Sequence, residues 1–461
     1  MPDRCGRRHR QGTRGDRDCC SGAIVATAWS GGVTVAAYRA EILSVPDDPT
    51  TGAPIVHHVD GLLVVEDGIV AACGAFAELA GRYAGVEVTH FAGKMIVPGF
   101  IDAHVHYPQT ERIAAHGEQL LDWLDRHIFP AEIAFADRAH ADIIAGFFLD
   151  ELLRNGTTSA LVYATVHPES VDALFEAALL RDMRIVSGKV LMDIQAPDGL
   201  RDTAETGRAE SETLIAKWRG RGRLRYAVTP RFALTSSDAQ LASAGDLIAA
   251  HPDVLLHTHL AENLSEVAAV ADRFHDAKDY LDVYDRFGLV GNRSVFAHCI
   301  QMDDDAFDRM AAKGAHAAFC PASNMFLGSG LFDLEKAAAH GVGVAIGTDI
   351  GAGTSFSLLH TLGEAYKICQ LRGVSLDPFR ALHLATVGGA RALGIADRVG
   401  ALRDGQEADF AVLDPQATPL LARRTAGASL HDRLFALQIL GDDRAVAFTY
   451  LAGKLAHRRS A

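Results

Sequence analysis

The sequence predicts an α/β protein, a (β/α)₈ TIM-like barrel with a small β-sandwich formed from both chain ends. Three observations carry this prediction. Short apolar strand-like runs alternate with helical ones through the middle of the chain, and there are eight such runs. Strand-and-turn patterns return at both ends. Histidines and acidic residues gather where the central strands stop, instead of being scattered over helices and loops. The 461 residues are enough for a large barrel and an accessory domain. The expected organisation is an extension at 1–32, a sandwich from 33–97 and 400–457, and the barrel from 98–399.

The extension does not match the rest. MPDRCGRRHRQGTRGDRDCC is Arg-rich and almost free of large apolar side chains, so it cannot bury surface to offset the entropy of ordering. Disorder is expected there. The following AIVATAWSGGVTVAA imitates a signal-peptide core, and Arg7-Arg8 imitates a twin-arginine start. Small residues and Gly31-Gly32 dilute that run, which favours the alternative of a true start near Val33. No stretch reaches the roughly 20 consecutive apolar residues that span a bilayer, so no membrane partner is expected. A net charge of -14 and a pI near 5.8 argue against a nucleic-acid polymer, which calls for clustered Lys and Arg. The cysteines, at 5, 19, 20, 73, 299, 320 and 369, are odd in number and form no CxxC pair. They suit a reducing, cytoplasmic compartment better than a disulfide framework.

Taken in order, TVAAYRAEIL, DGLLVVEDGIVAACG and VTHFAGKMIVPG read as strands of the sandwich, with Glu66-Asp67-Gly68 as a hairpin signal. Pro98-Gly99 breaks the run. Residues 100–107 form the first barrel strand, where Phe100, Ile101, Val105 and Tyr107 supply β-favouring character. TTSALVYA, RIVSGKVLMD, LRYAVTPRF, VLLHTHLAEN, SVFAHC, HAAFCPAS and GVAIGTDIG are the other seven. Helical periodicity separates them, as after Ala136 and at 170–181. The helical run after Thr354 and the segment 382–393 close the barrel. GALRDGQEADFAVLDP and AVAFTYLAGKL then return to the sandwich.

Side chains alternate along a strand, so His104 and His106 share one face. Two imidazoles there suit zinc and related ions, although two ordinary histidines at a barrel mouth would look the same. Further along, the strand ends carry Arg231, His257, His259, Glu262, His298, Asn324 and Asp349. In HTHLAEN, His259 and Glu262 form an HxxE, with His257 the better candidate for a packed neighbour. His298 follows about one βα unit later. Asp349 ends an apolar strand, where an unpaired carboxylate is costly to bury, unless it merely caps a helix. Taken jointly, the set points to a metal site.

These residues, with HYPQT, GEQLLDWLDRHIFPAE, HTHLAEN, FCPASNMFLGSGLFDL and GTDIGAGTSFS, resemble the amidohydrolase superfamily and, within it, the guanine deaminase family. The resemblance runs from about Tyr38 to the C-terminal strands. It departs from the family in the extension and in small changes such as Ala322 and Ala352, which touch no proposed ligand. It implies one zinc ion per subunit, held by His104, His106, His259 and Asp349, with a bound water as nucleophile. It further implies hydrolytic attack at C2 of guanine, giving xanthine and ammonia, and a homodimer. Asp349 would take the water's proton and His298 would orient the attacking oxygen. Glu262, otherwise readable as a helix N-terminal acid, would carry protons to the ring and to the leaving amine. Gln109, Arg231, Phe232 and Glu262 would contact the substrate. Arg231 suits the O6 and N7 acceptors of guanine, though on sequence alone it equally suits a structural ion pair. Lys189 is the one plausible carboxylated bridge for a second metal, which the HxxE disfavours. Two competing readings remain open: an amidohydrolase acting on 8-oxoguanine, a triazine or a thio-adenosine, and a metal-free scaffold with the same fold.

Overall fold

The computed structural model describes residues 34–117 and 119–460. The disorder, signal and alternative start considered for 1–32 lie outside the described residues.

Strands from both chain ends make one sheet. Its members are β1 (Val35–Ser44), β2 (Val56–Glu66), β3 (Ile69–Ala75) and β4 (Val88–Pro98), joined by three strands from the C-terminal end. The latter are numbered here after the barrel strands. The β2–β3 hairpin turns at Asp67 (φ 48°) and Gly68 (φ 85°), both left-handed, as its tight turn requires.

The barrel strands are β5 (Phe100–His106), β6 (Thr157–Tyr163), β7 (Arg184–Gly188), β8 (Val190–Leu191), β9 (Arg225–Pro230), β10 (Leu255–Leu260), β11 (Ser294–His298), β12 (His316–Phe319) and β13 (Gly343–Ile346). They pair in parallel around a nearly closed barrel. The expected run RIVSGKVLMD is split into β7 and β8, which both pair with β9. Gly188 sits at the split, where a Cβ would fall 1.9 Å from the Ala227 carbonyl oxygen. The last gap is bridged by backbone bonds. Asp349 N–H donates to His104 O (2.8 Å) and His106 N–H to Ile350 O (2.9 Å). Because β5 to β13 are covered on both faces, their residues are almost continuously buried, as parallel strands require.

The chain then returns through β14 (Phe410–Leu413), β15 (Val446–Leu451) and β16 (Lys454–Arg458), giving the order β16-β15-β14-β4-β1-β2-β3. The expected sandwich is therefore one continuous sheet that curls back on itself. Ile69 bridges Glu407, and Val70 N–H donates to Gln406 O (2.8 Å). Tyr38, Ile42, Leu63, Phe91, Phe410 and Tyr450 fill the fold so formed.

The expected helices are present at Arg138–Arg154, Pro168–Arg181 and Leu358–Leu371, the first capped by the Asp137 side chain. Two helices of the C-terminal part, Pro419–Thr425 and Leu430–Leu440, escaped the sequence reading. No helix among the described residues is long and apolar enough to cross a membrane.

Candidate active site

The strand ends converge on one buried cluster. His104 and His106, at the end of β5, are 0% and 2% exposed. Their Nε2 atoms lie 3.2 Å apart, and His106 Nε2 lies 3.3 Å from His259 Nε2 at the end of β10. Asp349 Oδ1 lies 3.2 Å from His104 Nε2 and 3.4 Å from His106 Nε2. A tetrahedron with metal–ligand bonds of about 2.0–2.1 Å has edges of roughly 3.3 Å, so these four separations suit a divalent cation such as zinc.

The proton arrangement agrees. His259 Nδ1 donates to the Arg231 carbonyl (2.7 Å), which leaves its Nε2 as a bare lone pair. His104 Nδ1 lies 2.7 Å from His257 Nε2, and with the proton on Nδ1 its Nε2 is bare as well. Burial, followed by the charges of neighbouring histidines, holds His104, His106 and His259 well below the ordinary imidazole range; His257 is shifted the same way by burial and His104. Neutral imidazoles with converging lone pairs repel one another unless a cation lies between them. His257, expected as a packed neighbour, is packed against His104 and bonded to it.

Glu262 and His298 stand beside this cluster. His298 Nε2 is 3.5 Å from Glu262 Oε2 and 3.7 Å from Asp349 Oδ2, and its Nδ1 bonds Asn324 Oδ1 (2.9 Å). Glu262 accepts from the Ser329 hydroxyl (2.9 Å). Burial pushes the Glu262 carboxyl up to about 7, with His298 opposing, and also raises Asp349. His298 is raised despite its burial because Glu262 and Asp349 face it. Ala261, His298 and Asp349 have φ of 51°, 73° and 52°. Left-handed conformations cost about 1–3 kcal/mol each outside glycine and cluster at functional sites.

His106, His259, Glu262, His298 and Asp349 line a cleft with Gln109, Arg231 and Phe232, and Leu120, Trp123, Leu124 and Leu327 supply its apolar lining. The two sequence readings of Arg231 merge here. It lines the cleft, and its Nη1 also donates to both oxygens of buried Glu132 (2.8 and 2.7 Å). Glu132 was missed, although an acid inside IFPAEIAF is an anomaly that could have marked it. Asp102 was also missed. Buried beneath the cluster, it accepts from Thr348 N–H (3.0 Å), the Thr348 hydroxyl and His104 N–H (3.2 Å). Lys189 is engaged elsewhere, with Nζ paired to Asp202 (2.6 Å) and Glu210 (2.8 Å).

The amidohydrolase family profile matches residues 95–456. A guanine deaminase of Escherichia coli (strain K12) is 48% identical over 439 residues, covering 94% of this chain and 100% of that protein. The solved structure of an E. coli guanine deaminase superposes with a TM-score of 0.90 at 47% identity, covering 92% of this chain and 100% of that one. A guanine deaminase from C. acetobutylicum with guanine bound in its active site gives 0.85 at 28% identity, with 92% and 100% covered. An adenosine deaminase from Xanthomonas campestris with bound zinc gives 0.81 at 25%, with 91% and 92% covered.

Proposed function

Because this chain belongs to the amidohydrolase family, we propose that it hydrolyses guanine to xanthine and ammonia with one zinc ion per subunit. The observation that carries this reading is the meeting of three metal-spaced histidines, with Asp349 beside two of them, a protonatable Glu262 and the Arg231 guanidinium around one cleft. The similarity to guanine deaminases over nearly the whole chain supports the substrate.

His104, His106, His259 and Asp349 would hold the zinc. Bound there, it supplies a water acidic enough to act as a nucleophile near neutral pH. Asp349 accepts the proton of the attacking water, and its Oδ2 faces His298 for that purpose. His298, fixed by Asn324, orients the attacking oxygen toward C2. Glu262 delivers its proton to the ring nitrogen, takes the remaining proton of the attacking oxygen and passes it to the departing amine, and the proton held by Asp349 then restores it; a carboxyl pushed up to about 7 suits this shuttle. The guanidinium of Arg231 offers its remaining N–H groups to O6 and N7. Gln109 uses Oε1 to accept from Gly351 N–H (3.0 Å) and Nε2 to donate to Glu132 (3.2 Å). One amide proton is left for the substrate. Phe232 forms an apolar wall. The family resemblance extends to a homodimer serving cytoplasmic purine catabolism, which sedimentation of the purified protein tests in its first part.

The deciding experiment measures ammonia release from guanine together with zinc content. Glu262→Gln is expected to lower kcat by about 10²–10⁴, the range of general acid–base catalysis, with zinc retained. A zinc-loaded wild type that releases no ammonia from guanine overturns the substrate assignment.

A further inference from the structure

Glu132 is not among the cleft-lining residues, yet it binds two that are, Gln109 and Arg231. It is buried at 0% exposure on the short helix Phe129–Ile133. Its carboxylate accepts from Arg231 Nη1 through both oxygens (2.8 and 2.7 Å) and from Gln109 Nε2 (3.2 Å). Phe129, one turn earlier on the same helix face, places its ring 5.4 Å from the Arg231 guanidinium carbon. A planar guanidinium held at one nitrogen and against a ring has little freedom left, so its other N–H groups point in a set direction.

The same carboxylate decides which way the Gln109 amide faces. Glu132 can only accept and Gly351 N–H can only donate, so Nε2 must face Glu132 and Oε1 must face Gly351. A neutral amide at 132 removes that rule, because it can accept or donate.

We propose that Glu132 is the positioning residue for purine-edge recognition: it aims Arg231 and Gln109 at the O6 side of the base and neutralises the buried guanidinium. The proposal rests on guanine being the substrate. Its consequence is selective. A base with the same C2 amine but no O6, such as 2-aminopurine, keeps only the N7 acceptor on that edge and so gains less from the aimed donors.

The test compares steady-state kinetics of wild type, Glu132→Gln and Glu132→Asp on guanine and 2-aminopurine, with zinc content and melting temperature measured on each sample. For Glu132→Gln, KM for guanine should rise at least tenfold while kcat stays within about threefold. The kcat/KM for 2-aminopurine, which keeps N7 but not O6, should fall at least threefold less than that for guanine. Glu132→Asp keeps the charge and is shorter by one methylene, so it should show the same selective loss to a smaller extent. It also provides the readout if the glutamine variant fails to fold. Equal losses on both substrates, or unchanged KM for guanine in folded, zinc-loaded variants, would overturn the role of Glu132 while leaving the reaction intact. A wild type inactive on guanine overturns the underlying reading instead.

Discussion

At the scale of single residues, the site depends on keeping imidazoles neutral. Burial lowers His104, His106, His257 and His259 well below the ordinary value of about 6.5. The sign follows directly. A histidine so held takes up its proton only at a lower pH than a free imidazole, so protons compete for the ligand lone pairs only once the pH is well under 6.5. Zinc should therefore stay bound through dialysis at pH 6, where unburied histidines are largely protonated. Metal content after dialysis from pH 7.5 to 5 measures this, and a loss centred near 6.5 contradicts it. A second prediction concerns Arg231. Arg231→Gln should lower kcat/KM for guanine at least tenfold, about 1.4 kcal/mol of transition-state stabilisation, with zinc unchanged. Unchanged kinetics would reduce Arg231 to its ion pair with Glu132.

At the scale of elements, the proposed metal ligands are brought together by a close approach between β5 and the segment after β13. Thr348 N–H bonds Asp102, and Asp349 N–H bonds the His104 carbonyl. Gly347 makes the approach possible, since a Cβ there would lie 2.8 Å from His104 Cβ and 3.0 Å from His104 O. Gly347→Ala should push Asp349 away from the histidines, and a misplacement of about 1 Å can cost on the order of 10²-fold in rate. Zinc content and kcat should both fall. Gly291→Ala, where an added Cβ meets nothing within 4 Å, serves as the control. Equal behaviour of the two variants would sink the argument. This closure also marks the limit of what could be read from the sequence. His104, His106, His259 and Glu262 stood out because strand alternation and the HxxE spacing are local. Asp102 with Thr348 is a contact across 246 positions, and Arg231 with Glu132 one across 99, with no short spacing to announce either. The helices at Pro419–Thr425 and Leu430–Leu440 escaped for a related reason: the expectation of a returning sandwich masked them.

At the scale of the whole molecule, the curled sheet is fastened to the barrel at the ends of the strands away from the cleft. Arg184 begins β7, and Arg223 lies just before β9. Arg184 donates to Glu407 (2.7 Å), and Arg223 Nη1 donates to Glu407 (2.7 Å) and to both oxygens of Asp409 (2.8 Å). Asp409 in turn accepts from Ala452 N–H (2.8 Å), at the turn between β15 and β16. The side chain of Asp409 is 1% exposed and that of Arg223 is 10% exposed, so solvent screens this network little. Removing one partner of a buried pair leaves a charge without compensation, at a cost of about 3–5 kcal/mol. Arg223→Met should therefore lower the melting temperature by several degrees. Sheet and barrel share a chain crossing at Gly99, where a Cβ would fall 2.2 Å from the Thr158 hydroxyl, so they should melt together in one transition. The cleft lies at the other ends of the strands, and kcat/KM for guanine at 25 °C should stay within about twofold. Calorimetry with parallel kinetics tests both parts. An early separate transition would show that the sheet is only loosely fastened, and a large loss of activity in the folded variant would show that the network reaches the metal ligands.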